Sequence, residues 1–176
     1  MRKPTTDRRT NHLTRRFVAE MSQKAKSHAV LVSVRTGLPS RRAFDERGVT
    51  PFVAVVDVDS MLAFNDQYSY AAGDALLRRI ADLLIRVGLE AFHNRGDEFL
   101  CKGESYQELN LKLSEAQRIL SQEPFPVREP NGRIHTIEGV DFCYGIGTSL
   151  EEAELALKHR KEQRVPNRTK SAAQKI

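Results

Sequence analysis

The segment PFVAVVDVD at 51–59 constrains this chain more than any other. Five consecutive apolar residues, three of them β-branched, follow Pro51, and the run is too short for a buried helix, so it reads as a buried strand. It ends on two carboxylates, Asp57 and Asp59. Downstream, Leu76, Leu77, Ile80, Leu83, Leu84 and Val87 recur on one helical face. Gly73-Asp74 supplies the start of that helix, with Asp74 as a good N-cap. LEAFHN and EFLCKGE read as two short strands around the tight turn Arg95-Gly96-Asp97. A second helix is predicted over about 105–121 and is ended by Pro124 and Pro126; PNG at 130–132 is a turn. Residues 134–146 read as a hairpin or one long strand. A last helix runs from about Leu150 to Arg164, with Ser149 as N-cap and Glu151 and Glu152 in the first turn, where the helix dipole favours acids. The order β-α-β-β-α-β-α predicts an α+β fold, the βαββαβ ferredoxin-like or palm-type antiparallel sheet with helices packed on it.

Ahead of this body, residues 1–11 read as disordered. Residues 11–27 read as a helix carrying Leu13, Phe17 and Met21, and 28–35 as extended chain leading into the turn TGLPSRRAF. The expected organisation is a basic, partly helical extension over 1–32, one domain over 33–165 and a basic disordered tail over 166–176.

Composition bounds the class. The chain has 176 residues and 19.9 kDa, the size of one domain with tails. With 29% charged residues, a mean hydropathy of −0.49 and no uncharged run near the ~20 residues that span a bilayer, no membrane span is expected. The first sixteen residues contain no apolar stretch, so no secretory signal is read there. Cys101 and Cys143 make no disulfide framework, and a reducing cytoplasm is the expected location. The net charge of +5 and pI of about 9.4 first suggest a nucleic-acid binder. The charge is unevenly placed, however. Residues 1–42 hold eleven Lys/Arg against two acids, residues 158–176 hold seven against one, and the middle holds ten against twenty. An acidic body with two basic ends, which lack interleaved aromatics, points away from nucleic acid and toward solvated tails.

The acidic body raises the question of metal. Asp57 ends the buried strand, and Asp97 and Glu98 sit at the tip of the hairpin. In a βαββαβ sheet the first strand lies beside that hairpin, so Asp57 and Asp97 converge. Carboxylates held close repel unless a cation lies between them, and oxygen donors of this kind suit Mg²⁺ in phosphoryl or nucleotidyl transfer. The plainer reading is that Asp57 and Asp59 cap a strand and RGDE is a solvent turn.

The segment DVDSMLAFNDQYSYAAGDALLRRIADLL at 57–84, followed by RGDEF at 95–99, resembles the GGDEF family of diguanylate cyclases. Asp57, Asp59, Asn65, Asp66, Gly73 and Asp74 match the pattern D-x-D-x-F-K-x-x-N-D-x-x-G-H-x-x-G-D. Gly96, Asp97, Glu98 and Phe99 match its signature in a variant RGDEF form. TGLPSRRAF resembles the family's opening D-x-L-T-G-L-x-N-R-R-x-F, and the similarity extends over about 33–165.

The resemblance implies a cytoplasmic enzyme of bacterial signalling. It would condense two GTP into cyclic di-GMP through attack of one 3′-hydroxyl on the other α-phosphate, in a homodimer. Asp57, the carbonyl of Val58 and Asp97 would hold Mg²⁺ or Mn²⁺, with Glu98 assisting at the second metal or the 3′-hydroxyl. Asp97 and Glu98 are thus the implied catalytic pair. Asn65 and Asp74 would read guanine; their plainer readings are a turn Asn and an N-cap. Lys161 and Arg164 would reach phosphate, although a solvated helix lysine is the plainer reading of Lys161.

The sequence also departs from the family. Leu62 stands where the family has a phosphate-binding Lys. Arg95 replaces the first glycine of the signature, and either crowds the nucleotide or supplies the cation that Leu62 lacks. Lys161-Glu162-Gln163-Arg164 is one residue shorter than the family's K-x-x-G-R. Arg86 is the remnant of a product-binding R-x-x-D motif whose Asp is Leu89 here, so strong product inhibition is not expected. His93 reads as a structural strand residue. These departures motivate a second reading, a catalytically weak GGDEF domain that acts as a GTP- or cyclic di-GMP-linked regulatory module with a protein partner.

Overall fold

The computed structural model describes residues 31–128 and 131–172, the last eight of these by backbone alone. The helix predicted at 11–27 lies outside the described residues. The elements are α1 (Arg41–Glu46), β1 (Phe52–Val58), α2 (Met61–Gln67), α3 (Tyr70–Arg86), β2 (Glu90–Arg95), β3 (Glu98–Gly103), α4 (Tyr106–Gln122), β4 (Phe125–Arg128), β5 (Ile134–Ile137), β6 (Phe142–Gly147) and α5 (Leu150–Ala172).

β1 is central, as its apolar run demands. It pairs antiparallel with β3 on one side and β6 on the other, in a four-stranded sheet of order β2-β3-β1-β6. Alternate residues of β1 serve two cores. Ala54, Val56 and Val58 face Leu76, Leu77, Ile80 and Leu84 of α3 and Leu109, Leu113 and Ala116 of α4. Val53 and Val55 face Phe44 of α1 and Ala153 and Leu157 of α5. The α+β architecture expected from element order is the one observed.

Two local expectations are corrected and two elements are added. α3 begins at Tyr70, capped by Ser69, whose Oγ accepts from Ala72 N–H; Asp74 is the fifth residue of the helix and not its cap. A short helix, α2, fills the stretch between β1 and α3 that carried no prediction. α4 ends at Gln122, just before Pro124, as predicted, while Pro126 itself sits in β4, half of a separate two-stranded ribbon, where few ladder hydrogen bonds are asked of it. Residues 134–146 are neither one strand nor a self-contained hairpin. β5 pairs with β4 while β6 joins the main sheet. The last helix starts as predicted, with Ser149 Oγ accepting from Glu152 N–H at 3.2 Å, and extends to Ala172.

α5 lies unusually close to β6. An added Cβ at Gly145 would stand 2.2 Å from the Ala153 carbonyl oxygen and from the Leu157 nitrogen. Glycine there sets the height of α5 above the sheet, and therefore where its cations fall. α5 and α4 also reach the outer rim of β6: Arg160 donates to the Tyr144 carbonyl at 3.0 Å, and Gln117 and Arg164 donate to the Phe142 carbonyl at 2.6 and 3.3 Å.

Candidate active site

The acidic residues gather where β1 ends. Asp57 stands opposite Glu98 of β3 and Cys143 of β6 in the sheet register, so its side chain emerges on the α5 face. Asp97 lies in the β2–β3 turn, whose position is pinned because its carbonyl accepts from Val58 N–H at 3.2 Å. The Asp97 carboxyl is pushed above the ordinary aspartate range, first by burial and then by the neighbouring charge of Asp57. Immediately after β1, Ser60 takes a left-handed backbone conformation, φ 57°, that turns the chain into α2.

Two cations of α5 meet these acids. Lys161 Nζ is 2.5 Å from Asp57 Oδ1. Arg164, one helical turn on, donates to Asp59 at 3.1 Å and pairs with Asp141 at 3.2 Å. The i, i+2 spacing of the aspartates and the i, i+3 spacing of the cations match, because both place side chains on one face. Glu98 is held differently. Its Oε2 accepts from Asn94 at 2.9 Å and from Arg95 at 3.0 Å. Arg95 is 79% exposed, so its guanidinium points outward along Glu98.

Among the described residues no three or more acids, histidines or cysteines stand close enough to hold a metal ion. The pair Asp57 and Asp97, with the backbone of Val58 between them, nevertheless forms an oxygen donor set. A hard divalent cation that keeps waters and phosphate oxygens as its other ligands fits such a set. The Asp97 carboxyl is raised by its burial first, and the facing charge of Asp57 adds to that.

A second group lies on α2 and α3. Asn65 Oδ1 is buried and has no hydrogen-bond partner among the described residues. It rests against Gly73, where an added Cβ would come within 2.0 Å of it. Asp74 follows on α3 and receives two hydrogen bonds from Arg35, at 2.9 and 2.6 Å. Sequence reasoning missed Arg35. The available signal was an arginine where the family's opening has leucine, in the segment SVRTGL.

The remaining candidates are placed as follows. Leu62 is exposed at the start of α2. Arg86, at the far end of α3, shares Glu123 with Arg79 and takes no part in the acidic cluster. His93 is buried between the Ser33 hydroxyl, 2.7 Å from Nδ1, and the Gly96 carbonyl, 3.2 Å from Nε2. Since a carbonyl only accepts, Nε2 carries the proton and Nδ1 accepts from Ser33. Burial lowers the pKa of this imidazole. Cys101 and Cys143 are buried core residues, and burial pushes the Cys101 thiol up to about 12. No described helix is long and apolar enough to cross a membrane.

No protein-family model matches the chain. Among curated proteins, diguanylate cyclase DosC of Escherichia coli K12 is 28% identical over 149 residues, covering 76% of this chain. The chain spans about a third of the length of that relative, 31%. Among solved structures, the coiled coil and GGDEF domain of DgcB from Caulobacter crescentus, in complex with c-di-GMP, superposes with a TM-score of 0.61 at 20% identity, covering 88% of this chain and 87% of that one. Diguanylate cyclase SiaD of Pseudomonas aeruginosa, in complex with its activator SiaC, superposes at 0.63 and 20% identity, covering 88% and 68%. The chain has the fold of a GGDEF domain, and its sequence is similar to that of a diguanylate cyclase.

Proposed function

We propose that this chain is a diguanylate cyclase domain, a nucleotidyltransferase that joins two GTP into cyclic di-GMP. The observation that carries the reading is the convergence of Asp57 and Asp97 at the end of β1, with Lys161 beside them. Bound Mg²⁺ or Mn²⁺ would offset triphosphate charge and polarise the α-phosphate. Asp57 and Asp97, with the Val58 carbonyl, would hold that cation. Glu98 assists at the 3′-hydroxyl or a second cation.

The remaining roles belong to the chain itself. Asn65 and Asp74 bind the base, since guanine offers an N1–H and an N2–H donor that adenine lacks. Lys161 and Arg164 leave their aspartates for phosphate oxygens when a triphosphate enters. Two protomers face each other, each with one nucleotide. The 3′-oxygen of one bonds the α-phosphorus of the other, pyrophosphate leaves, and the hydroxyl proton passes to a base or water. A second such step closes the ring.

A second reading is favoured by the pairing of Glu98 with Arg95 and of Asp74 with Arg35. In that reading the domain binds GTP without turnover and signals to a protein partner. Incubation with GTP and Mg²⁺ or Mn²⁺, at concentrations where dimers form, separates the two by chromatography of the products. Cyclic di-GMP that disappears in Asp97→Ala supports the cyclase; GTP binding with no product supports the module.

A further inference from the structure

Arg35 links Asp74 of α3 to the turn between β2 and β3. Its Nε and Nη2 both donate to Oδ1 of Asp74, at 2.9 and 2.6 Å, and its Nη1 donates to the Gly96 carbonyl at 3.4 Å. The loop that carries it is fixed. Ser33 N–H donates to the Leu38 carbonyl and Gly37 N–H to the Ser33 carbonyl, each at 2.8 Å. Arg78 Nε donates to the carbonyl of Arg35 itself at 3.1 Å. The backbone that carries the guanidinium is therefore braced beside Asp74.

The consequence for Asp74 follows from lone pairs. A carboxylate oxygen has two acceptor directions, and both of those on Oδ1 are taken by the arginine fork. A base edge with two adjacent N–H donors needs both carboxylate oxygens. With Arg35 in place only Oδ2 remains. The same guanidinium also bridges to the turn that precedes Asp97, across the space between base side and acidic cluster.

We propose that Arg35 is a specificity-determining residue that competes with the nucleobase for Asp74, so that a guanine nucleotide enters only when the fork lets go. This rests on the reading of Asp74 as a base contact. Arg35 and Asp74 are 39% and 34% exposed, so solvent screens the pair and it opens readily. Its effect is to lower affinity for guanine nucleotides, not to seal the site.

Binding of GTP and of ATP to the full chain, with Mg²⁺, is measured by calorimetry for the wild type, Arg35→Leu and Arg35→Met. Both variants are expected to bind GTP about fivefold more tightly than the wild type, the weight of one screened ion pair. ATP binding is expected to stay constant, because adenine offers no such donor pair. Circular dichroism checks folding; should Arg35→Leu misfold, Arg35→Met, which keeps the apolar stem, carries the test. Unchanged or weaker GTP binding in a folded variant, with GTP still preferred over ATP by the wild type, overturns the role of Arg35 alone. If no form prefers GTP over ATP, the base-contact reading of Asp74 fails and the proposal falls with it.

Discussion

Lys161 Nζ lies 2.5 Å from Asp57 Oδ1, so a helix cation occupies the carboxylate that ends the central strand. Asp57 is 17% exposed and Lys161 42%. The lysine thus screens from outside a carboxylate that the sheet has partly withdrawn from water. A divalent cation at Asp57 has to displace it. Lys161→Met is expected to tighten Mn²⁺ binding in the absence of nucleotide by about fivefold, measured by paramagnetic resonance titration of free Mn²⁺. Weaker Mn²⁺ binding in the variant would mean that Lys161 orients Asp57 rather than competing for it.

Asp97 carries a pH signature. Its carboxyl is raised above the unfolded aspartate range by burial and by Asp57. A raised folded value favours the fold at acid pH, and that contribution is lost as pH rises through the folded pKa. At neutral pH without metal the ionised carboxylate is therefore a liability. Asp97→Asn is expected to stabilise the metal-free chain at pH 7 by up to about 1 kcal/mol, reduced by the group's partial exposure, and to lose that gain below the aspartate range. Thermal unfolding at pH 7 and pH 3.5 reads this. Mg²⁺ should raise the Tm of the wild type and not of the variant.

His93 works in the opposite direction. Burial lowers its pKa, so neutral imidazole is the form that the fold accepts. Stability from this group is present above the unfolded histidine value and is lost as pH falls through that value toward the folded one. Protonated Nδ1 can no longer accept from Ser33, which is 2.7 Å away. Urea unfolding between pH 7.5 and pH 5 should show declining stability, and the decline should flatten in His93→Gln. A slope equal in both proteins would place the acid sensitivity elsewhere.

Gly145→Ala should be costly out of proportion to one methyl group. The added carbon meets the backbone of α5 at 2.2 Å on two atoms, Ala153 oxygen and Leu157 nitrogen. Backbone cannot rotate aside as a side chain can, so the helix must lift from the sheet. A loss of about 3 kcal/mol is expected from chemical denaturation. Lys161 and Arg164 move with the helix, so nucleotide binding should weaken in the same variant.

Periodicity made the skeleton legible. The apolar run of β1, the single face of α3 and the turn at 95–97 each follow from a local pattern, and the matching acids followed because they sit at the ends of those patterns. What failed was local punctuation. Ser69 and Asp74 both look like caps, and the alanines between them carry too little apolar signal to decide. The prolines at 124 and 126 correctly end α4, but that Pro126 itself lies in a strand is legible only once that strand is known to be half of a small ribbon. The break between β5 and β6 falls at Gly139, whose φ of 66° turns the chain out of one sheet and into another. Lys161 and Arg164 were legible as residues but not as partners, and Arg35 was not legible as a site residue at all. Lys161 with Asp57, Arg164 with Asp59, and Arg35 with Asp74 are pairings across long sequence separations, set by where α5 and the 31–40 loop dock and not by any spacing in the chain.

The outer rim of β6 has one more implication. A bare rim is a template on which another chain can continue the sheet, the first step toward fibrils. Here the Phe142 carbonyl is claimed twice, by Gln117 and Arg164, and the Tyr144 carbonyl is claimed by Arg160. If Arg164 swings away to a phosphate, Gln117 still holds Phe142. Losing Arg164 from this rim would therefore leave the Phe142 carbonyl still covered by Gln117 and the Tyr144 carbonyl by Arg160, so these two points offer no template to another copy of the chain.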